Sequence, residues 1–231
     1  MDNSFLYIKT LLLVDDEPDL LKMLSDILKD AGFQKILMAA TGKEAVALDA
    51  EKKQVTVQDV QTGEKEVCSY DRLVVAVGAS PAILPIEGKE LAGVFKMRTP
   101  DDAEGIRTYA EQNNVKKAVV IGAGFIGLEA AENLQAKGIQ GRVAGIKTSA
   151  GNLPCEMIIM AAGIRPNTEF LNDSGIEMFK GTILTDDQMK TNLDDVYAAG
   201  DCVMVKNRLT GKRQWSPMGS SANLEGRTLA Q

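Results

Sequence analysis

Ala118-Val119-Val120-Ile121-Gly122-Ala123-Gly124-Phe125-Ile126-Gly127 decides how this chain of 231 residues is read. Four apolar residues in a row suit a strand buried on both faces of a parallel sheet. The glycines that follow are spaced GxGxxG, and an amphipathic helix runs on from about Phe125 to Lys137, where Gly138 closes it. Strand, glycine turn and helix in direct succession give each glycine its own task. Gly122 allows the tight turn, Gly124 lets main-chain amides approach a pyrophosphate, and Gly127 lets the helix pack closely on the strand. The helix mouth then offers the positive end of its dipole to an anion. Read alone, the same residues also fit a tight connection that binds nothing.

A dinucleotide site further wants an acidic residue about 20 positions on, to hold the adenosine ribose. Residues 142–149 contain none and place Lys147 there, which suits either a 2′-phosphate or a solvated strand end. Other strand signals are residues 72–77, ending at Gly78-Ala79-Ser80-Pro81, and residues 142–148, 156–161, 183–186 and 196–199, the last being followed by Gly200-Asp201. Residues 55–71 alternate around Thr62-Gly63 as an antiparallel hairpin does. Thr99-Pro100-Asp101-Asp102 caps a helix running to about Gln112, and residues 167–175 predict a short one.

The chain is 45% hydrophobic and 25% charged, which places it among packed globular proteins. A net charge of -6 without a Lys/Arg cluster argues against a nucleic-acid partner, leaving a small-molecule nucleotide as the expected one. The early apolar run at residues 11–14 meets Asp15 and Asp16 at once, which suits neither a signal peptide nor a membrane span; a cytoplasmic location is expected. Cys68, Cys155 and Cys202 lie far apart with no CxxC pair, so neither zinc nor a redox disulfide is signalled. Histidine is absent, so no metal site is expected and no catalytic side chain can be named; chemistry falls to a bound cofactor.

VVIGAGFIGLEAAENL at residues 119–134 resembles the NAD(P)H-binding turn of the pyridine nucleotide-disulfide oxidoreductases, close to NADH oxidases and coenzyme A-disulfide reductases. Three further segments agree in order: YDRLVVAVGASPAILPIEG at 70–88, MAAGIRPN at 160–167 and VYAAGD at 196–201. The resemblance implies an FAD- and NAD(P)H-dependent oxidoreductase over residues 50–231. NAD(P)H would lie at Gly122, Ala123, Gly124, Phe125, Ile126 and Gly127. Gly78, Ala79, Gly163 and Gly200 would form turns near the flavin, and Asp201 would bond its ribityl or pyrophosphate part. The family's own first GxGxxG is missing from residues 1–50, its redox cysteine has no counterpart, and three residues bridge the gap after Gly138 where half of its NAD domain would stand. Family-type turnover is therefore not expected.

LLLVDDEPDLLKMLSDILKDAGFQKILMAATGKEAVAL at 11–48 resembles instead the first half of a response-regulator receiver domain. Its apolar pattern predicts a strand at 11–14, a helix beginning at Asp16 or Glu17 and ended by Gly32, a strand at 36–39 and a second helix starting at Gly42. Asp15 and Asp16 match the receiver's Mg²⁺-holding pair, or equally stabilise a helix N-terminus. The third receiver strand lacks its acceptor aspartate, so phosphorelay signalling, the third functional reading, is not expected.

Together these readings predict an α/β fold: a doubly wound parallel sheet, a Rossmann/flavodoxin-like hybrid, with an antiparallel hairpin and a truncated nucleotide-binding half. Four segments follow: residues 1–49 receiver-like, 50–112 an FAD-domain-like hairpin, strand and linker helix, 113–163 the truncated NAD(P)H half, and 164–231 the FAD-domain-like return. Strands 72–77 and 196–199 are expected beside the receiver strands. Asp15, Asp16, Glu17 and Asp19 would then face a flavin pyrophosphate, each such contact costing about 1 to 4 kcal/mol, so FAD binding should be weak. The alternative to an oxidoreductase is a recombined or engineered chimera that folds without turning anything over.

Overall fold

The computed structural model describes residues 10–14, 25–26, 29–30, 32, 35–39, 43–59, 61–144 and 153–229. Asp15, Asp16, Glu17, Asp19 and Lys147 lie outside them. The chain divides into two compact units, one of residues Met1–Ala79 and Pro166–Gln231, the other of Ser80–Arg165.

The second unit is built on a four-stranded parallel sheet. Along the chain come β8 (Val94–Lys96), α1 (Pro100–Gln112), β9 (Lys117–Ile121), α2 (Phe125–Ala136), β10 (Gln140–Ala144) and β11 (Met157–Met160); the strands that precede them are given below. The strand order is β10-β9-β11-β8, so β9 is central. β10 follows α2 by a short turn and pairs in parallel with β9, making β9, α2 and β10 an unbroken strand-helix-strand unit. Val120 and Ile159 from the sheet, Ile106 and Ala110 from α1, and Ala130 and Leu134 from α2 form the core. α1 starts where the sequence places it: the Thr99 hydroxyl accepts from the Asp102 amide at 3.2 Å, and the Asp102 carboxylate accepts from the Thr99 amide at 3.0 Å.

β9 is anchored at its start by Glu156, whose carboxylate accepts the amides of Lys116 and Lys117 at 2.6 and 3.0 Å. Those two bonds hold its carboxyl below the ordinary value of 4.5. A group so depressed stabilises the fold above that value and loses its contribution as pH falls through the lowered one. Glu156→Gln should therefore melt slightly below the wild type at neutral pH, and the gap should close in acid. Equal melting at pH 7 would contradict this.

The first unit holds β1 (Thr10–Val14), β2 (Lys35–Ala39), β3 (Lys43–Asp49), β4 (Gln54–Asp59), β5 (Lys65–Ser69), β6 (Leu73–Val75) and, after the second unit, β13 (Met178–Phe179), β14 (Thr182–Leu184), β15 (Val196–Ala198), β16 (Val203–Lys206), β17 (Arg213–Trp215) and α3 (Gly219–Leu229). β7 (Ala79–Pro81) and β12 (Ile164–Pro166) form a two-stranded ladder where the chain changes unit. β1 and β2 pair in parallel, residues 25–26 and 29–30 between them are helical, and Gly32 takes φ +100°, all as the sequence predicts.

Five expectations need correction. The helix expected from Gly42 is strand β3, because residues 43–49 pair antiparallel with β4 and send Leu48 into the core beside Val55 and Val57. The expected hairpin is thereby a three-stranded sheet, β3-β4-β5. The expected single doubly wound sheet is, among the described residues, a set of smaller mixed sheets: β6 pairs with β15 alone, and no ladder joins it to β1. Residues 196–199 are not the last strand either, since β16 and β17 form an antiparallel hairpin after them. Residues 167–175 make only one turn of 3₁₀ helix, Glu169–Leu171. The Ser174 hydroxyl bonds back to the Leu171 carbonyl and Gly175 turns left-handed, which stops the helix there. No helix among the described residues is long and apolar enough to cross a membrane.

Candidate functional site

In each unit the glycine-bearing turns gather at the carboxyl ends of two paired parallel strands, the edge at which ligands bind in open α/β sheets. In the second unit these strands are β9 and β11. The Ala161 amide donates to the Ile121 carbonyl at 2.8 Å, which lays residues 161–163 beside the glycine turn. Gly122 has φ +115°, and a Cβ there would overlap the Ala161 carbonyl oxygen and stand 2.6 Å from its carbon. A Cβ on Gly127 would overlap the Gly122 carbonyl oxygen. Gly124 differs from both, because none of the described residues comes within 4 Å of the Cβ it lacks.

Space is therefore kept open where the backbone would meet a ligand. Ala123, Gly124, Phe125 and Ile126 are exposed, while Gly127 is buried. Gly124 is the N-cap of α2 and makes no side-chain cap bond; the first turn of α2 carries no acid. α1 shows the opposite arrangement, with its capping box closed and Asp101 and Asp102 in the first turn. The mouth of α1 is satisfied by its own side chains, whereas the mouth of α2 presents bare amides and an uncompensated dipole. An apolar cleft of about 470 Å³ lies between α1 and α2, lined by Ile106, Ala110, Leu134 and Ile159, and includes no residue of the turn.

In the first unit the strands are β6 and β15. Gly78 has φ +60° with open space where its Cβ would be. The turn before it is held by Asn167, whose side-chain amide donates to the Val77 carbonyl at 2.9 Å and whose backbone amide donates to the Gly78 carbonyl at 3.0 Å. Across the pair, the Ala199 amide reaches the Val75 carbonyl at 3.1 Å and brings Gly200 and Asp201 alongside. Gly78, Gly200 and Asp201 thus converge, with Ala79 continuing into β7. Gly163 has φ +105° and accepts from the Ala82 amide at 2.8 Å, in the second unit.

Two further residues of the Asp201 turn escaped the sequence reading. Trp215 donates its indole N–H to the Asp201 carbonyl at 2.8 Å, and the Glu225 carboxylate accepts the Gly200 amide at 2.6 Å. Cys202 is fully buried, and desolvation pushes its thiol up to about 12, so it is no redox nucleophile at neutral pH.

These elements define a Rossmann-like, nucleotide-binding α/β protein. The chain belongs to the pyridine nucleotide-disulphide oxidoreductase family, whose model matches residues 5–146 and 135–219. It is similar to an NADH oxidase of Methanocaldococcus jannaschii, 33% identical over 235 residues that cover 81% of this chain and 52% of the relative. A CoA-dependent NAD(P)H sulfur oxidoreductase of Pyrococcus abyssi is 33% identical, covering 79% of this chain and 50% of its own. Among solved structures, the reduced CoADR-RHD of Bacillus anthracis shares the fold with a TM-score of 0.78 and 23% identity, over 96% of this chain and 51% of that one. An NAD-dependent persulfide reductase from A. fulgidus gives 0.74 and 26%, over 95% and 53%. The chain spans about half the length of these relatives.

Proposed function

We propose that this chain is the nucleotide-binding portion of an FAD- and NAD(P)H-dependent oxidoreductase. The pyrophosphate of NAD(P)H lies against Gly122, Ala123, Gly124, Phe125, Ile126 and Gly127, and the flavin lies at Gly78, Ala79, Gly200 and Asp201, with Gly163 turning the chain nearby. The open space at Gly124 before the uncapped mouth of α2 carries the first placement. The residues fit the group: two glycines are fixed by close backbone approach, and the third leaves room for a phosphate among cap amides that have no partner among the described residues.

Hydride transfer from nicotinamide to flavin is the chemistry the two cofactors supply. The protein binds and orients. The α2 amides neutralise the pyrophosphate, Gly122 and Gly127 hold the turn against β11, and Asp201 offers a carboxylate to flavin hydroxyls. No cysteine among the described residues stands as a redox thiol at these turns: Cys202 is sealed in the core, Cys68 lies on β5, and Cys155 precedes β11 at the end of that strand away from the glycine turn. We therefore read family-type disulfide turnover as impaired.

Absorbance and calorimetric titration with NADH test the reading. Gly124→Glu puts a side chain and a negative charge into the open space, and should remove the NADH signal while the melting curve is kept. Unchanged affinity would refute the placement. A hybrid origin of residues 10–49 is a second reading, favoured by Asp15-Asp16-Glu17-Pro18 following β1 where the family has glycines. The family match beginning at residue 5 favours a single origin instead.

A further inference from the structure

We propose that Glu225 is a positioning residue: it fixes the Gly200–Asp201 turn so that the Asp201 carboxylate points out to the flavin's ribityl hydroxyls. The inference rests on the reading of the first unit as the flavin site and adds the residue that makes this site rigid.

α3 meets its unit in an unusual way. Its buried residue, among the described ones, is Glu225, 8% exposed, while Leu224 beside it is 66% exposed. A helix docked only by apolar burial would be rotated to hide the leucine. Burying a carboxyl is unfavourable, and desolvation raises that of Glu225 above the ordinary glutamate range even though its bond from Gly200 pulls the other way; the nearby Asp201 adds to the rise. Such an arrangement persists where the bond it makes has a use.

That bond runs from the Gly200 amide to Glu225 Oε2 at 2.6 Å, short and charge-assisted. Gly200 stands at φ +87°, one of several conformations open to a glycine, so a bond to its amide selects this one. The rest of the turn is tied down as well. The Gly200 carbonyl accepts from the Val203 amide at 3.0 Å, the Asp201 carbonyl from the Trp215 indole at 2.8 Å, and the Cys202 thiol donates to the Ala199 carbonyl at 3.4 Å. Among the described residues the Asp201 carboxylate alone in this turn has no protein donor, and it is half-exposed. Two carboxyls therefore divide the work: one faces inward and holds an amide, the other faces outward.

Fluorescence titration of the whole chain with FAD is the test, with NADH binding and melting as controls. Glu225→Met keeps the buried volume and removes the acceptor; it should weaken FAD roughly tenfold by loss of preorganisation and leave NADH affinity unchanged. Glu225→Gln keeps a carbonyl acceptor for Gly200 and should stay within about threefold of the wild type. A merely structural glutamate would change melting in Glu225→Met and leave the FAD affinity of the folded variant unaltered, which overturns the proposal while the flavin reading stands. A wild type that binds no FAD overturns both. Should Glu225→Met not fold, the amide proton of Gly200 in the ¹⁵N-labelled wild type decides. It should lie far downfield and move as Glu225 titrates, and a Gly200 amide exchanging as a free one overturns the proposal.

Discussion

Gly122→Ala is expected to cost about 4 kcal/mol or more and to abolish nucleotide binding, because two penalties act at one position. The residue takes φ +115°, which an L side chain rarely adopts, and the new methyl would be driven into the main chain at Ala161. That main chain cannot step aside. The Ala161 amide is bonded to the Ile121 carbonyl, and β11 is paired along its length with the central strand β9. Gly127→Ala carries the steric penalty alone, against the Gly122 carbonyl, and should cost less. Gly124→Ala meets nothing within 4 Å, so it should melt within about 1 kcal/mol of the wild type and yet weaken NADH, since its methyl occupies the ligand's space. Denaturant melts and NADH titrations of the three variants check the order. Gly122→Ala melting like the wild type would show that the turn is looser than described.

The different surroundings of the three glycines explain why this turn is legible in the sequence. A glycine required by backbone collision and a glycine required by an approaching ligand leave the same letter, but their spacing after an apolar strand separates them before any coordinates exist. The capping box at Thr99 was legible for the same reason: the two reciprocal bonds lie within four residues of chain. Residues 43–49 were not. KEAVALD carries apolar residues at both periods, and strand was chosen over helix by β4, a partner later in the chain. Glu225 and Trp215 were illegible too, since each acts on a turn more than ten residues away through one hydrogen bond to main chain. Main-chain acceptors and donors are present at every residue and so leave no mark in the sequence.

The assembly of the first unit from small sheets sets the other large effect. Leu171→Ala should lower stability by about 3 to 4 kcal/mol, in the upper part of the range for a leucine deleted from a packed core. Leu171 is fully buried in the single 3₁₀ turn, and it belongs to one cluster with Leu48 of β3, Val57 of β4, Val75 of β6, Ile183 of β14 and Val196 of β15. Those strands belong to three different sheets, and no hydrogen-bond ladder among the described residues joins one sheet to another. Side-chain packing is then what couples them, and a void at their meeting point should be felt by all. The turn has little freedom to close the void, because the Leu171 amide and carbonyl are held by Thr168 and by Ser174. Leu209→Ala is the matching control: that leucine is 97% exposed at the tip of the β16–β17 hairpin and should change stability by less than about 0.5 kcal/mol. Urea melts of both variants decide the matter. A Leu171→Ala midpoint as close to the wild type as that of Leu209→Ala would mean that the sheets are held together by something other than this core.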